Sequence, residues 1–256
     1  MPSRYFIGKG RLFFATKNAT TGLPTDFTWL GNVPKLTLST NQADVEHKES
    51  YTGFNFTDKV IATGQKTNAS FTVEEFTRTN IAYFLFGTGS TISPATVTAE
   101  TVIAKLGGFV PVANINITTW TSLTLGAAPS TIYVNGTDYT IDLKSGMVYF
   151  PPTSTITDGA SLKANYASGA IERISAFTGN QNPTYWLRFD GLNQADDNKP
   201  VIIDIYNFRP KPVGSVELIT EDFSQLDIDG MALYEDRMPD NTSDGRFFRI
   251  RQTVFA

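Results

Sequence analysis

The side chains best equipped for chemistry stand together in one short run. Asp44, Glu46, His47, Lys48 and Glu49 fall within six positions, and His47 is the one histidine of the chain. A carboxylate beside an imidazole could act as a general base or share a metal ion. Both chemistries need further partners. A zinc site of the usual kind draws on several His or Cys ligands, and a chain with one histidine and no cysteine cannot provide them. A serine triad would have to use His47, yet no Gly-x-Ser-x-Gly elbow occurs. The alternative is a charged surface or interface, where opposite charges select the partner and set its register.

Other fragments are weaker. Gly64-Gln65-Lys66-Thr67 has the end of a phosphate loop, but Val60 stands where that pattern needs its first glycine, and the stretch reads as a hairpin turn. Asp227-Ile228-Asp229-Gly230 lacks the spacing and third ligand of a calcium loop and reads as a turn. Paired carboxylates for glycoside hydrolysis would need a defined separation that spacing along strands does not reveal. The reading is therefore of no catalytic, metal-binding or cofactor-binding residue.

The balance of 21 Lys+Arg against 25 Asp+Glu lacks the positive excess that phosphate-backbone binding uses. The first ten residues contain no apolar signal segment, and no apolar run is long enough to cross a membrane, which predicts a soluble protein made in the cytoplasm. Six Asn-x-Ser/Thr triplets, at Asn18, Asn55, Asn68, Asn116, Asn135 and Asn241, carry no glycosylation argument without such a segment.

The elements that must position the charged run are strands. Alternation with period two recurs at Leu36 and Leu38, at Phe71 and Val73, at Tyr185, Leu187 and Phe189, and at Phe248, Ile250 and Val254. The stretch from Val201 to Tyr206 is apolar on both faces for part of its length, which predicts a central strand. Between Phe76 and Gly87 the pattern breaks. Thr77 suits a helix N-cap, Phe76 and Ile81 a hydrophobic staple and Gly87 the C′ position, so one helix of about nine residues is expected.

From about residue 92 to 169 the texture changes to short strands separated by turn dipeptides. Asn135-Gly136 between β-rich arms is the strongest hairpin signal, with further turns at Lys144-Ser145-Gly146 and Thr157-Asp158-Gly159. This predicts a small immunoglobulin-like sandwich inserted between two parts of a host domain, 1–91 and 170–256. The last part carries nine acidic residues between Glu217 and Asp244 against Arg237, a stretch that faces solvent or something that should not adhere to it.

The order of several segments is similar to the major tail tube proteins of long non-contractile-tailed bacteriophages. The resemblance is carried by Gly8-Lys9-Gly10-Arg11-Leu12-Phe13-Phe14, then the stretch from Trp29 to Ser39, the charged run with Gly53, and Phe71-Thr72-Val73-Glu74-Glu75-Phe76. It resumes through Tyr185 to Asn193, Val201 to Tyr206 and Phe223 to Gly230. It implies a mainly β fold, a two-sheet tail-tube sandwich with one short flanking helix. It also implies hexameric rings stacked into a tube, contacts with tape-measure, tail-tip and tail-terminator proteins, passage of DNA without specific binding, and residence in the virion tail. Residues 40 to 57, with Asp44, Glu46, His47, Lys48 and Glu49, are then expected to touch a neighbouring subunit or ring. Two other classes stay open: a carbohydrate-binding or adhesin sandwich, and a β-rich hydrolase with paired carboxylates.

Overall fold

The structure, a computed structural model, describes residues 5–126, 131–237, 245 and 247–253. It is mainly β. In chain order the elements are β1 Gly8–Thr16, β2 Thr28–Trp29, β3 Lys35–Lys48, β4 Thr57–Val73, α1 Arg78–Phe84, β5 Thr88–Ile92, β6 Ala95–Ile103, β7 Gly108–Pro111, β8 Ile117–Leu125 and β9 Ile132–Tyr133. They continue with β10 Thr140–Asp142, β11 Met147–Phe150, β12 Ser161–Ser168, β13 Ile171–Ser175, β14 Tyr185–Asn193, β15 Lys199–Pro210, β16 Leu226–Ala232 and β17 Phe248–Gln252. No helix among the described residues is long and apolar enough to cross a membrane. Asp240, Asn241, Asp244 and Val254, which entered the sequence reading, lie outside the described residues.

The chain divides into two compact units, Met1–Thr88 with Ser175–Ala256, and Gly89–Ile174. The observed inner limits lie three residues before the expected position 92 and five after the expected 169. β5 and β13 pair with one another where the chain passes between the units.

In the first unit eight strands form one hydrogen-bonded sheet, β2-β1-β14-β15-β16-β4-β3, with β17 also on β15. The sheet bends at β15. The N-terminal half of that strand, Val201 to Ile205, pairs with β17, while Phe208, Arg209 and Pro210 pair with Ala232, Met231 and Gly230 of β16. Three residue pairs are a narrow corner, so the two halves of the sheet turn toward each other and bury one core. Leu12, Phe14, Leu187 and Ile205 from one half meet Ala69, Phe71, Leu226 and Ile228 from the other. The Phe14 and Phe71 rings, 6.3 Å apart, make that contact edge to face. Alternation along β16 is complete, buried at Leu226, Ile228, Gly230 and Ala232 and exposed between, so Asp227-Ile228-Asp229-Gly230, expected as a turn, is strand paired to β4, with Ile228 in the core. Gly64-Gln65-Lys66-Thr67, also expected as a turn, runs within β4 opposite Ala43 to Thr40, the chain reversing instead between Lys48 and Thr57.

Glycines at two places let aromatic rings lie flat on the sheet. Gly10 faces Gly191 across β1 and β14, and a Cβ on Gly191 would overlap the Phe189 ring. A Cβ on Gly230 would overlap the Phe208 ring in the same way.

Helix α1 covers the open side of the core with Phe84, while Ile81 and Tyr83 pack beside it. Thr77 is its N-cap, its hydroxyl accepting from the Asn80 amide at 3.1 Å. The helix is seven residues long, shorter than the nine expected, because it ends in a Schellman turn one residue early. The left-handed C′ residue is Phe86, φ 50°, and the Gly87 amide donates to the Ala82 carbonyl at 2.8 Å. Gly87 was expected at C′ for its conformational freedom. Its real requirement is room: a Cβ there would strike the Ser175 carbonyl oxygen.

The second unit has a four-stranded sheet, β6-β12-β8-β9, and a three-stranded sheet, β10-β11-β7. Val102, Leu123 and Leu162 from the first face Val148 and Phe150 from the second in one buried cluster. Trp120 donates from Nε1 to the Tyr139 hydroxyl at 2.8 Å within it.

The Asn135-Gly136 hairpin is corrected. Gly136 does take positive φ, 87°, in a tight turn, but the arms meet only at a single Asn135–Tyr139 bridge and form no ladder: β9 joins β8 and β10 joins β11. The turn carries the chain from one sheet to the other. What decides this is Asp138, whose carboxylate holds the Val134 amide at 2.8 Å and the Thr155 hydroxyl at 2.6 Å, while burial of Tyr139 pulls the second arm inward.

Candidate assembly arm

β3 and β4 are fourteen and seventeen residues long, far beyond the reach of their neighbours. β16 pairs with β4 only from Thr67 to Val73. Beyond Asn41 and Lys66 the two strands pair with each other alone, to Lys48 and Thr57, and nearly every residue there is exposed. Eight residues of β3 at about 3.3 Å each make a two-stranded arm on the order of 26 Å long before its tip. Such a ribbon is marginally stable by itself and leaves two rows of backbone N–H and C=O groups without strand partners.

Two bulges shape the arm, between Ala43 and Asp44 and between His47 and Lys48, each adding one residue to β4. Thr63, the first extra residue, returns its hydroxyl to the Ala43 carbonyl at 3.1 Å. Asp58, the second, reaches His47, Oδ1 to Nδ1 at 2.5 Å. Asp44, Glu46 and Lys48 therefore share one face of the arm, and Val45 and His47 the other, with Ile61 directly across from Val45.

The structure thus places all five predicted residues on one arm but gives them different work. Asp44 accepts from Gln42 Nε2 at 2.8 Å, Glu46 accepts from Thr57 at 3.4 Å, and both stay exposed with Lys48 and His47. Glu49 departs from the expectation. It is 4 % exposed, and its carboxylate accepts from the Tyr51 and Thr52 amides at 2.9 Å, from the Phe56 amide at 3.2 Å and from the Thr52 hydroxyl. Those bonds, led by the Thr52 hydroxyl, hold its pKa below the ordinary value of 4.5. Glu49 shapes the tip and is not free to meet a partner.

The sequence reading did not single out the tip aromatics. Tyr51, Phe54 and Phe56 are exposed, and the Phe54 and Phe56 rings lie 5.6 Å apart. With Val45, Val60 and Ile61 they make the arm apolar as well as charged. The available signal was three aromatics within six positions around Gly53, too close together for alternating strand residues to bury all three. No group of three or more His, Cys, Asp or Glu side chains that could hold a metal ion occurs among the described residues.

A family model spanning residues 5–251 matches, described as protein of unknown function UCP028589. The chain belongs to that family. No curated protein matches it.

Proposed function

We propose that this chain is a structural assembly protein, a phage tail tube subunit that forms hexameric rings stacked into a conduit for DNA. One observation carries the proposal: a long arm without strand partners on either edge, tipped by exposed aromatics, extending from a sheet with a buried core. A monomer gains nothing from that geometry. Exposed strand edges and aromatic tips are stabilised when a second chain covers them.

The bent sheet of the first unit supports the tail-tube sandwich reading, since its halves act as two layers over one core. The two facing sheets of the second unit, four strands against three, support an immunoglobulin-like insert. Tape-measure, tail-tip and tail-terminator proteins are the partners such a tube would meet in the virion tail, and the acidic balance would let DNA pass without being held.

The test is negative-stain electron microscopy over a concentration series, with solution mass measured in parallel, on the full chain and on a variant whose residues 42 to 65 are replaced by Asn-Gly. Asn41 and Lys66 are Cα partners, so a two-residue turn can close the shortened hairpin. Rings or tubes from the full chain and a folded monomer from the variant are expected. Equal assembly by both would remove the arm from the account, and a monomeric full chain up to its solubility limit would count against the tube.

A further inference from the structure

Between Pro210 of β15 and Leu226 of β16 the chain forms no regular structure. Its first part is tied down: Val213 and Val216 pack on the core, and the Val213 amide donates to the Phe84 carbonyl at 2.9 Å. Its second part is a loop closed by the Ser224 hydroxyl on the Glu217 carbonyl at 2.7 Å. In that loop Leu218, Ile219 and Phe223 are 86 %, 99 % and 91 % exposed, among Glu217, Glu221 and Asp222. The acidic stretch was expected to face solvent or something that should not adhere to it. Instead it holds three large apolar side chains in water, which costs free energy unless something covers them.

The same unit has a groove of opposite character. About 430 Å³ in volume, it is walled by Phe86, Phe177, Pro210, Met231 and Leu233, with Arg209 and Lys211 as its charged residues. Phe86 and Phe177 both adopt left-handed backbone, φ 50° and 57°. Glycine or asparagine takes that conformation with less strain, so two phenylalanines there each hold strained backbone. Phe177 does so while remaining mostly exposed. Stability of one chain alone does not account for an exposed ring in a strained position on a groove wall.

We propose that the loop of one copy seats in this groove of a second copy. Leu218, Ile219 and Phe223 cover the apolar wall, and Glu217, Glu221 and Asp222 meet Arg209 and Lys211. The two surfaces match in both apolar character and charge sign. Folding back within one chain is opposed by the anchors at Val213, Val216 and Leu226. Because donor and acceptor patches differ, the contact is head-to-tail, the kind that closes into a ring or runs on as a filament. It uses no residue of the arm, so it stands or fails separately from the arm contact.

The absence of cysteine from the chain makes the test direct. Full-length Ile219→Cys and Met231→Cys variants are mixed under mild oxidation, and cross-linked peptides are identified by mass spectrometry. A 219–231 link between chains is expected, reduced at least tenfold by R209E with K211E in the groove chain and restored by E221K with D222K in the loop chain. Three results would overturn the proposal: no mixed link up to the solubility limit, a link unaffected by the charge reversals, or, in a chain carrying both cysteines, a link confined to monomers. Loss of the arm contact in the Asn-Gly variant would leave the 219–231 link in place.

Discussion

Truncating Phe54 and Phe56 to alanine should raise the concentration needed for assembly while leaving the folded monomer almost unchanged. A Phe side chain presents roughly 200 Å². With Phe54 75 % and Phe56 60 % exposed, about 270 Å² of aromatic surface stands in water at the arm tip. At about 25 cal/mol per Å², covering it all would contribute about 7 kcal/mol, and covering one face of each ring about 3. Three kcal/mol corresponds to about two orders of magnitude in the concentration at which subunits associate. The same substitutions act on exposed side chains, so the monomer should change by no more than about 0.5 kcal/mol. Sedimentation velocity across a dilution series reads the first effect and thermal unfolding below the assembly threshold reads the second. An unchanged association threshold would show that the tip is not buried in any contact between subunits. A monomer destabilised by several kcal/mol would show that the rings support the arm itself.

Charge reversal should separate the partner-facing carboxylates from the structural one: D44K with E46K weakens assembly and leaves the tip intact, whereas E49K disorders residues 49 to 56, which amide chemical shifts would report directly. The pH dependence of the tip follows from Glu49. Its folded pKa is depressed, so its stabilising bonds are fully present above 4.5 and are lost as pH falls through the lower folded value, seen as loss of the Tyr51, Thr52 and Phe56 amide shifts in acid. In the body, Lys17 donates to Glu235 at 2.8 Å and to Asn207 at 2.6 Å, both ends of the ion pair being buried. Burial pushes Glu235 up, but Lys17 and Arg237 together leave its pKa lowered. K17M keeps Arg237 and should cost about 3 kcal/mol, lowering Tm on the order of 8 °C; K17M with E235L should recover most of it, and equal Tm values for wild type and K17M would refute the pairing. G191A should destabilise by about 1–3 kcal/mol, because the added Cβ overlaps the Phe189 ring and approaches the Lys9 carbonyl oxygen; calorimetry decides.

Local pattern was enough to read the β class, the alternation at Phe71 and Val73, the Thr77 cap and the position of the charged run, because each depends on residues a few positions apart. It was not enough for Glu49, whose acidity looks the same whether the carboxylate faces a partner or the amides of its own turn. Nor did it show that Asn135-Gly136 joins two sheets, since a glycine at positive φ serves a hairpin or an arch alike, and the distant partners of Asp138 and the burial of Tyr139 decide between them. The acidic loop is the sharpest case. Its composition was plain, but the exposure of Leu218, Ile219 and Phe223 follows from where Val213, Val216 and Leu226 are anchored. Sequence by itself determined the periodicities and caps, which arise from short-range sterics and hydrogen bonding. Tertiary structure alone decided which edges and side chains were left uncovered, because burial is set by contacts between residues far apart along the chain.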